Sequence, residues 1–190
     1  MWLCRRRLYL SSDLPVVFKT SLRMTDKEIS FEPLSLKHGE EVMDIYNYYI
    51  EHSLTAYPGK TLPYEFFNKL LDMTKDYPAY TIKVADHIAG FCFLHAYNPL
   101  SSFKECAEIT CFLDNDWTGK GIGRVALDRL EADARQMGIR TLLANIAATN
   151  TRSLAFHLKH GFKQCGRFEK ILKKKGKRTD IIWMQKHLTR

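Results

Sequence analysis

The chain has 190 residues, 45% of them hydrophobic and 12% aromatic, which is one domain with at most a short appendage and enough apolar matter for a sizeable core. With 26% charged residues and no apolar run of spanning length, it is not a disordered polar chain, a collagen, a disulfide miniprotein or an integral membrane protein. The formal net charge of +8 is concentrated in residues 1–24 and in residues 163–178.

Residues 1–24 are basic up to Leu10 and then carry a short apolar patch over 14–18. They lack the longer apolar stretch and small-residue cleavage site of a secretory signal. A weak targeting peptide is one reading, with Arg and Ser and a single acid; the favoured expectation is a mobile N-terminal extension, with translation starting at Met24 and the domain spanning 25–190. Residues 28–34 read as a short strand ended by Pro33. Over 36–52, Val42, Ile45, Tyr46, Tyr49 and Ile50 recur with helical spacing, which predicts an amphipathic helix. A second helix runs from Pro63 through Phe66, Phe67, Leu70 and Leu71, and Pro78 ends it.

Residues 79–85 and 88–97 read as strands joined by a turn at Asp86 and His87. Over 105–114 the chain alternates, with Ala107, Ile109, Cys111 and Leu113 on one face and Glu108, Thr110 and Phe112 on the other. A long helix follows, with the seam Ile122, Val125, Ala126, Leu130, Ala134 and Met137, closed by Gly138. Residues 141–148 are almost wholly apolar, as in a strand buried on both faces. Asn150 caps a short helix ending at Gly161, and a last hairpin turns at Gly176. The order is β-α-α-β-β-β-α-β-α-β-β.

The cysteines Cys4, Cys92, Cys106, Cys111 and Cys165 are odd in number and include no C-x-x-C pair. Cys92, Cys111 and Cys165 sit in apolar, strand-like stretches, which points to reduced, buried thiols in a cytoplasmic protein. The histidines have no metal-ligand spacing, so no metal is expected. Within 163–178, Lys163, Arg167, Lys170, Lys173, Lys174, Lys175, Lys177 and Arg178 face Glu169 alone. Such a patch suits nucleic acid, a phosphate-rich cofactor or a solvated hairpin face.

The most informative segment is a strand feeding Trp117-Thr118-Gly119-Lys120-Gly121-Ile122-Gly123, which opens a helix. Glycines let a backbone approach a ligand closely. The first amides of a helix have no internal partner and suit a pyrophosphate. Lys120 and Arg124 add charge. A tight turn without a ligand has the same look. A dinucleotide fingerprint does not fit, because the spacing is G-x-G-x-G and the loop follows the fourth strand.

This loop, followed by a buried strand and then Asn150-Thr-Arg-Ser153-Leu-Ala-Phe-His157-Leu-Lys-His-Gly161-Phe162, resembles the GNAT acyltransferases. Three further stretches resemble the phosphinothricin N-acetyltransferase-like branch: Tyr46 to Ile50, Ile88 to Phe91, and Gly176 to Gln185. The similarity covers roughly residues 26–188. It implies an α/β (α+β) GNAT fold, a central mixed twisted sheet flanked by helices, with fourth and fifth strands that splay apart. It implies acetyl-CoA as co-substrate, with the pantetheine arm on the backbone of Cys111, Phe112 and Leu113. The pyrophosphate falls to Thr118, Gly119, Lys120, Gly121, Ile122, Gly123 and Arg124, and Asn150 and Ser153 match a second contact. A homodimer is the common state of the branch.

The implied reaction is attack of a small-molecule primary amine, such as an amino acid or its analogue, on the thioester. An alkylammonium is mostly protonated at neutral pH, so a base is needed. Glu108 is the candidate, since a carboxylate among apolar neighbours has a raised pKa. The alternative is a glutamate on an exposed strand face. His157 is the candidate acid for the departing thiolate, or a packing residue. A backbone amide near Leu113 would polarise the thioester carbonyl. A covalent route through Cys111 or Cys165 has no activating histidine nearby in sequence.

Three features depart from the family. Thr118 stands where the family loop begins with Arg or Gln, and Arg178 stands where it usually has Trp. The loop over 53–61 is about two residues shorter. Tyr57, Tyr97 and Phe103 are candidates for an acceptor pocket or ordinary aromatics. Asp180 holds a substrate ammonium or caps the hairpin. Rival readings are a protein N-terminal or lysine acetyltransferase, and an inactive acetyl-CoA-sensing or nucleic-acid-binding module. Against nucleic acid, there is no RNP-like aromatic strand.

Overall fold

The computed structural model describes residues 29–189. The N-terminal extension, Cys4 and the start of the first strand at Glu28 lie outside the described residues. The elements are β1 (Ile29–Pro33), α1 (Gly39–His52), α2 (Phe67–Thr74), β2 (Ala79–Val84), β3 (His87–Ala96), β4 (Cys106–Leu113), α3 (Ile122–Gln136), β5 (Thr141–Ala147), α4 (Thr151–Lys159), β6 (Lys163–Lys174) and β7 (Lys177–His187). The expected element order holds, with ends displaced by a few residues. Single 3-10 turns precede α1 and α2, so the regular helices begin at Gly39 and Phe67.

The strands form one mixed sheet in the order β1-β2-β3-β4-β5-β7-β6. Neighbours are antiparallel except β4 and β5, which run parallel. The two faces are covered differently. On one face Ile122, Ala126, Leu127, Leu130 and Ala134 of α3 pack against Ala107, Leu142, Ala144 and Ile146 of the sheet. On the other, Val42, Met43 and Ile45 of α1 and Phe67 and Leu70 of α2 cover Phe91 and Phe93 of β3. Burying a large apolar side chain is worth about 1.5–3 kcal/mol, so these two layers supply most of the driving force.

Three expectations need correction. Met137 does not belong to the α3 seam, because the helix ends at Gln136 and Met137 is 45% exposed; Leu127 takes the inward place. The strand β5 is not buried on both faces. Leu142, Ala144 and Ile146 are buried, while Leu143 and Asn145 are only half-buried. The α1–α2 layer covers β3 and β4 and leaves that side of β5 open. Finally, Cys92 is buried but Cys111 and Cys165 are exposed, and all three, with Cys106, are free thiols.

Candidate functional site

β4 and β5 pair only through Cys106–Thr141, Ala107–Leu142 and Glu108–Leu143. Beyond that point the two strands part, and a cleft of about 930 Å³ opens between them. Backbone groups alternate sides along a strand. Asp114 N–H bonds Ala89 of β3, whereas the Glu105 carbonyl accepts from Thr141 at the start of β5. By that alternation the groups of Ile109, Cys111 and Leu113 face the gap and those of Phe112 face β3. Phe112 therefore offers its ring to the cleft wall rather than its backbone. The gap is bounded by two tyrosines: the Tyr49 hydroxyl donates to the Leu113 carbonyl at 2.7 Å, and the Tyr57 hydroxyl donates to the Asn145 carbonyl at 3.1 Å.

Gly90 sets the upper end of β4. A Cβ there would lie 2.4 Å from the Phe112 carbonyl oxygen and 2.9 Å from the Leu113 Cα. Only glycine allows β3 and β4 to approach so closely where the strand enters the cleft.

The glycine loop follows. Gly119 and Gly121 have φ of 79° and 91°, in the left-handed region, and Gly121 is the cap of α3. The helical ladder begins with Arg124 and Val125 N–H on the Gly121 carbonyl. The amides before them have no place in the helix ladder and lie at the positive end of the helix dipole. Glycine, Thr118, Lys120 and Arg124 all line the cleft, which fits a phosphate ligand, while the Ile122 side chain is fully buried in the core. The side chains of the loop are largely engaged. The Thr118 hydroxyl donates to the Asn115 carbonyl at 2.8 Å, Lys120 Nζ lies 4.4 Å over the Trp117 ring, and Arg124 pairs with Asp128 at 3.1 Å. Asn150 Oδ1 caps α4 by accepting from Ser153 N–H at 3.1 Å, and its Nδ2 reaches Thr55 Oγ1 at 3.3 Å.

Glu108 sits at the parting of the strands, half-buried. Asn145 Nδ2 donates to its Oε2 at 2.7 Å. Burial raises its pKa above the usual carboxylate value, while the neighbouring His95 charge and the Asn145 bond oppose the rise. Glu108 is not among the residues that line the cleft; Asn145 and Tyr57 are, and they connect the two. The carboxylate thus lies on the sheet face shared by His95 and Trp183, which the register sets beside Glu108 and Asn145. Tyr97 borders this face, with its ring 6.1 Å from Trp183 and 5.7 Å from Phe103.

His157 lines the cleft, but its chemistry argues against a proton donor. Its Nδ1 lies 2.8 Å from the Ser153 carbonyl, which can only accept, so Nδ1 carries the hydrogen. Burial lowers its pKa, so the ring is neutral near pH 7 and its Nε2 is an acceptor. Cys111 opens onto the cleft, but the surrounding protein pushes its thiol up to about 12. Asp180 is taken by the hairpin: it accepts from Arg167 and, at 2.7 Å, from Lys170 N–H.

Three residues of the site escaped the sequence reading. Asn145 was the one polar residue inside the apolar run that follows Thr141, which was a usable signal. Lys174 was hidden in the basic stretch, yet it is 3% exposed and donates from Nζ to the carbonyls of Ser53 at 2.9 Å and Ala56 at 2.6 Å. It pins the loop that carries Thr55 and Tyr57. Arg152 reaches over Gly119 from α4. Among the described residues there is no metal-holding group of three or more His, Cys, Asp or Glu, and no helix long and apolar enough to cross a membrane.

Comparison with known proteins agrees with this geometry. The model of the acetyltransferase (GNAT) family matches residues 42–162. YwnH of Bacillus subtilis, a candidate phosphinothricin acetyltransferase, is 28% identical over 152 residues, 79% of this chain and 93% of its own. The L-methionine sulfoximine/L-methionine sulfone acetyltransferase of Pseudomonas aeruginosa is 29% identical over 119 residues, 60% of this chain and 69% of its own. Among solved structures, a phosphinothricin acetyltransferase from Sinorhizobium meliloti in complex with acetyl-CoA superposes with a TM-score of 0.79 at 21% identity, covering 85% of this chain and 89% of that one.

Proposed function

The chain belongs to the acetyltransferase (GNAT) family, and we propose that it moves the acetyl group of acetyl-CoA to the primary amine of a small molecule of the amino-acid class, by direct attack in a ternary complex. The observation that carries this reading is the parting of β4 and β5 beside a half-buried carboxylate, with a glycine loop at the far end of the same cleft. The relatives named for phosphinothricin and methionine sulfoximine support the acceptor class, and the neighbour from Sinorhizobium meliloti supports the co-substrate.

In this reading acetyl-CoA is held on the gap-facing backbone of Ile109, Cys111 and Leu113, with its pyrophosphate on the amides of the glycine loop. The amine enters from the sheet face of His95, Glu108 and Trp183. Glu108, its pKa raised by burial, takes the ammonium proton directly or through a water. The freed amine attacks the thioester carbonyl, whose developing negative charge needs only a gap-facing backbone amide. As the adduct collapses, the attacking nitrogen gives its second proton to water, and the CoA thiolate leaves and takes a proton from water, since neutral His157 has no proton to give on the nitrogen away from Ser153. This reading includes a homodimer, from the resemblance, and a cytoplasmic site, from the unpaired cysteines; light scattering checks the first.

The test is calorimetric titration with acetyl-CoA, together with thiol release on a panel of free amino acids and their phosphinate and sulfoximine analogues. Saturable binding with turnover on at least one of these amines is expected. Binding without turnover on any of them would overturn the acceptor class.

A further inference from the structure

The cations that the sequence places in the glycine loop are occupied locally. Lys120 lies on the Trp117 ring and Arg124 pairs with Asp128. Thr118 turns its hydroxyl onto the Asn115 carbonyl. Another guanidinium stands over the loop instead. Arg152 Nη2 comes within 3.2 Å of where a Cβ on Gly119 would be. Arg152 and Tyr49 both line the cleft.

Arg152 is exposed, and packing sets the place of the helix that carries it. Asn150 caps α4, so Arg152 is in the first turn of the helix. Residues four apart share a helix face, and Phe156, four on from Arg152, packs beside Gly123, where a Cβ would lie 3.6 Å from its ring. The contact that docks α4 on the start of α3 therefore aims Arg152 at the loop. Among the described residues its guanidinium has no hydrogen bond and no carboxylate at ion-pair distance. A planar fork of donors beside a row of backbone amides matches two neighbouring phosphoryl oxygens.

We propose that Arg152 is a binding residue for the pyrophosphate of the co-substrate, supplying from α4 the side-chain charge that the loop itself does not offer. The inference rests on the acetyl-CoA reading above and names a residue of that site.

The test compares wild type, Arg152→Ala and Arg152→Lys. CoA and 3′-dephospho-CoA are titrated by calorimetry. Thiol release is measured with acetyl-CoA and with acetyl-pantetheine, which has no phosphate. Arg152→Ala should weaken both CoA and dephospho-CoA about 10- to 100-fold, because a charge-assisted pair is lost. It should raise the KM for acetyl-CoA with little change in kcat, and leave kcat/KM for acetyl-pantetheine unchanged. Arg152→Lys should recover part of the affinity, keeping the charge without the fork. An equal loss with acetyl-pantetheine would mean a structural role and overturn the proposal. So would a loss confined to CoA, which would move the contact to the 3′-phosphate. Unchanged CoA affinity in Arg152→Ala would overturn this inference alone. Failure of the wild type to bind CoA would overturn the acetyl-CoA reading with it.

Discussion

Asn145 Nδ2 donates to Glu108 Oε2 at 2.7 Å, reaching back from β5 to β4 two residues past the last pair that joins them. The bond ties the carboxylate to the cleft wall at the point where the strands separate. It stabilises the charged form of Glu108, while burial acts the other way.

The first prediction follows from that opposition. Asn145→Ala removes a bond to the carboxylate, so the Glu108 pKa rises further. A base works only when deprotonated, so the acid limb of the kcat profile should move to higher pH, with kcat recovering on the alkaline side. Steady-state rates across pH check this; an unmoved limb would separate Asn145 from the titrating group.

Gly90→Ala should destabilise the fold by about 1–3 kcal/mol, the usual cost of overpacking. The new Cβ would meet the Phe112 carbonyl at 2.4 Å, and a backbone atom cannot step aside as a side chain can. Urea unfolding with an unchanged m-value is the measurement. Because the displaced backbone leads into Leu113, acetyl-CoA affinity should fall as well.

His157→Gln should retain kcat within about threefold, whereas loss of a general acid costs about 100-fold or more. His157 also has a stability signature. Its folded pKa is lowered from the ordinary value of 6.5, so the unfolded chain binds the extra proton first. Its contribution is present above that ordinary value and is lost as pH falls towards the folded pKa. Wild type should therefore lose stability on acidification more steeply than His157→Gln in that window.

Cys111→Ala should keep turnover within a factor of about three. With its thiol pushed up to about 12, Cys111 stays protonated near neutral pH, which disfavours an acyl-enzyme route. Mass spectrometry after mixing with acetyl-CoA should find no acetyl group on this residue.

The order of elements was legible because each depends on local periodicity and on local breakers such as Pro63, Pro78, Gly138 and Gly176. The glycine loop and the Asn150 cap were legible for the same reason. The partners that complete the site were not. Lys174 bonds Ser53 across 121 residues, Tyr57 bonds Asn145 across 88, and Tyr49 bonds Leu113 across 64. Nothing in the local pattern distinguishes such a lysine from a solvated one. Arg152 looked like any exposed helical arginine until α4 was docked on α3 through Phe156 and Gly123. Sequence alone left His157 open between a proton donor and a packing residue, because the Ser153 carbonyl that holds its Nδ1 is a backbone group with no signature in the sequence.

The most direct measurement is the pH dependence of kcat for wild type and Glu108→Gln, from about pH 5 to about pH 9, with acetyl-CoA saturating. The account predicts that wild-type kcat rises through a pKa above the ordinary carboxylate value. Glu108→Gln should lose about 10²–10³ in kcat and that limb, while acetyl-CoA affinity is unchanged. A Glu108→Gln enzyme with full kcat and the same acid limb would contradict it, and the proton would have to leave the amine by another route.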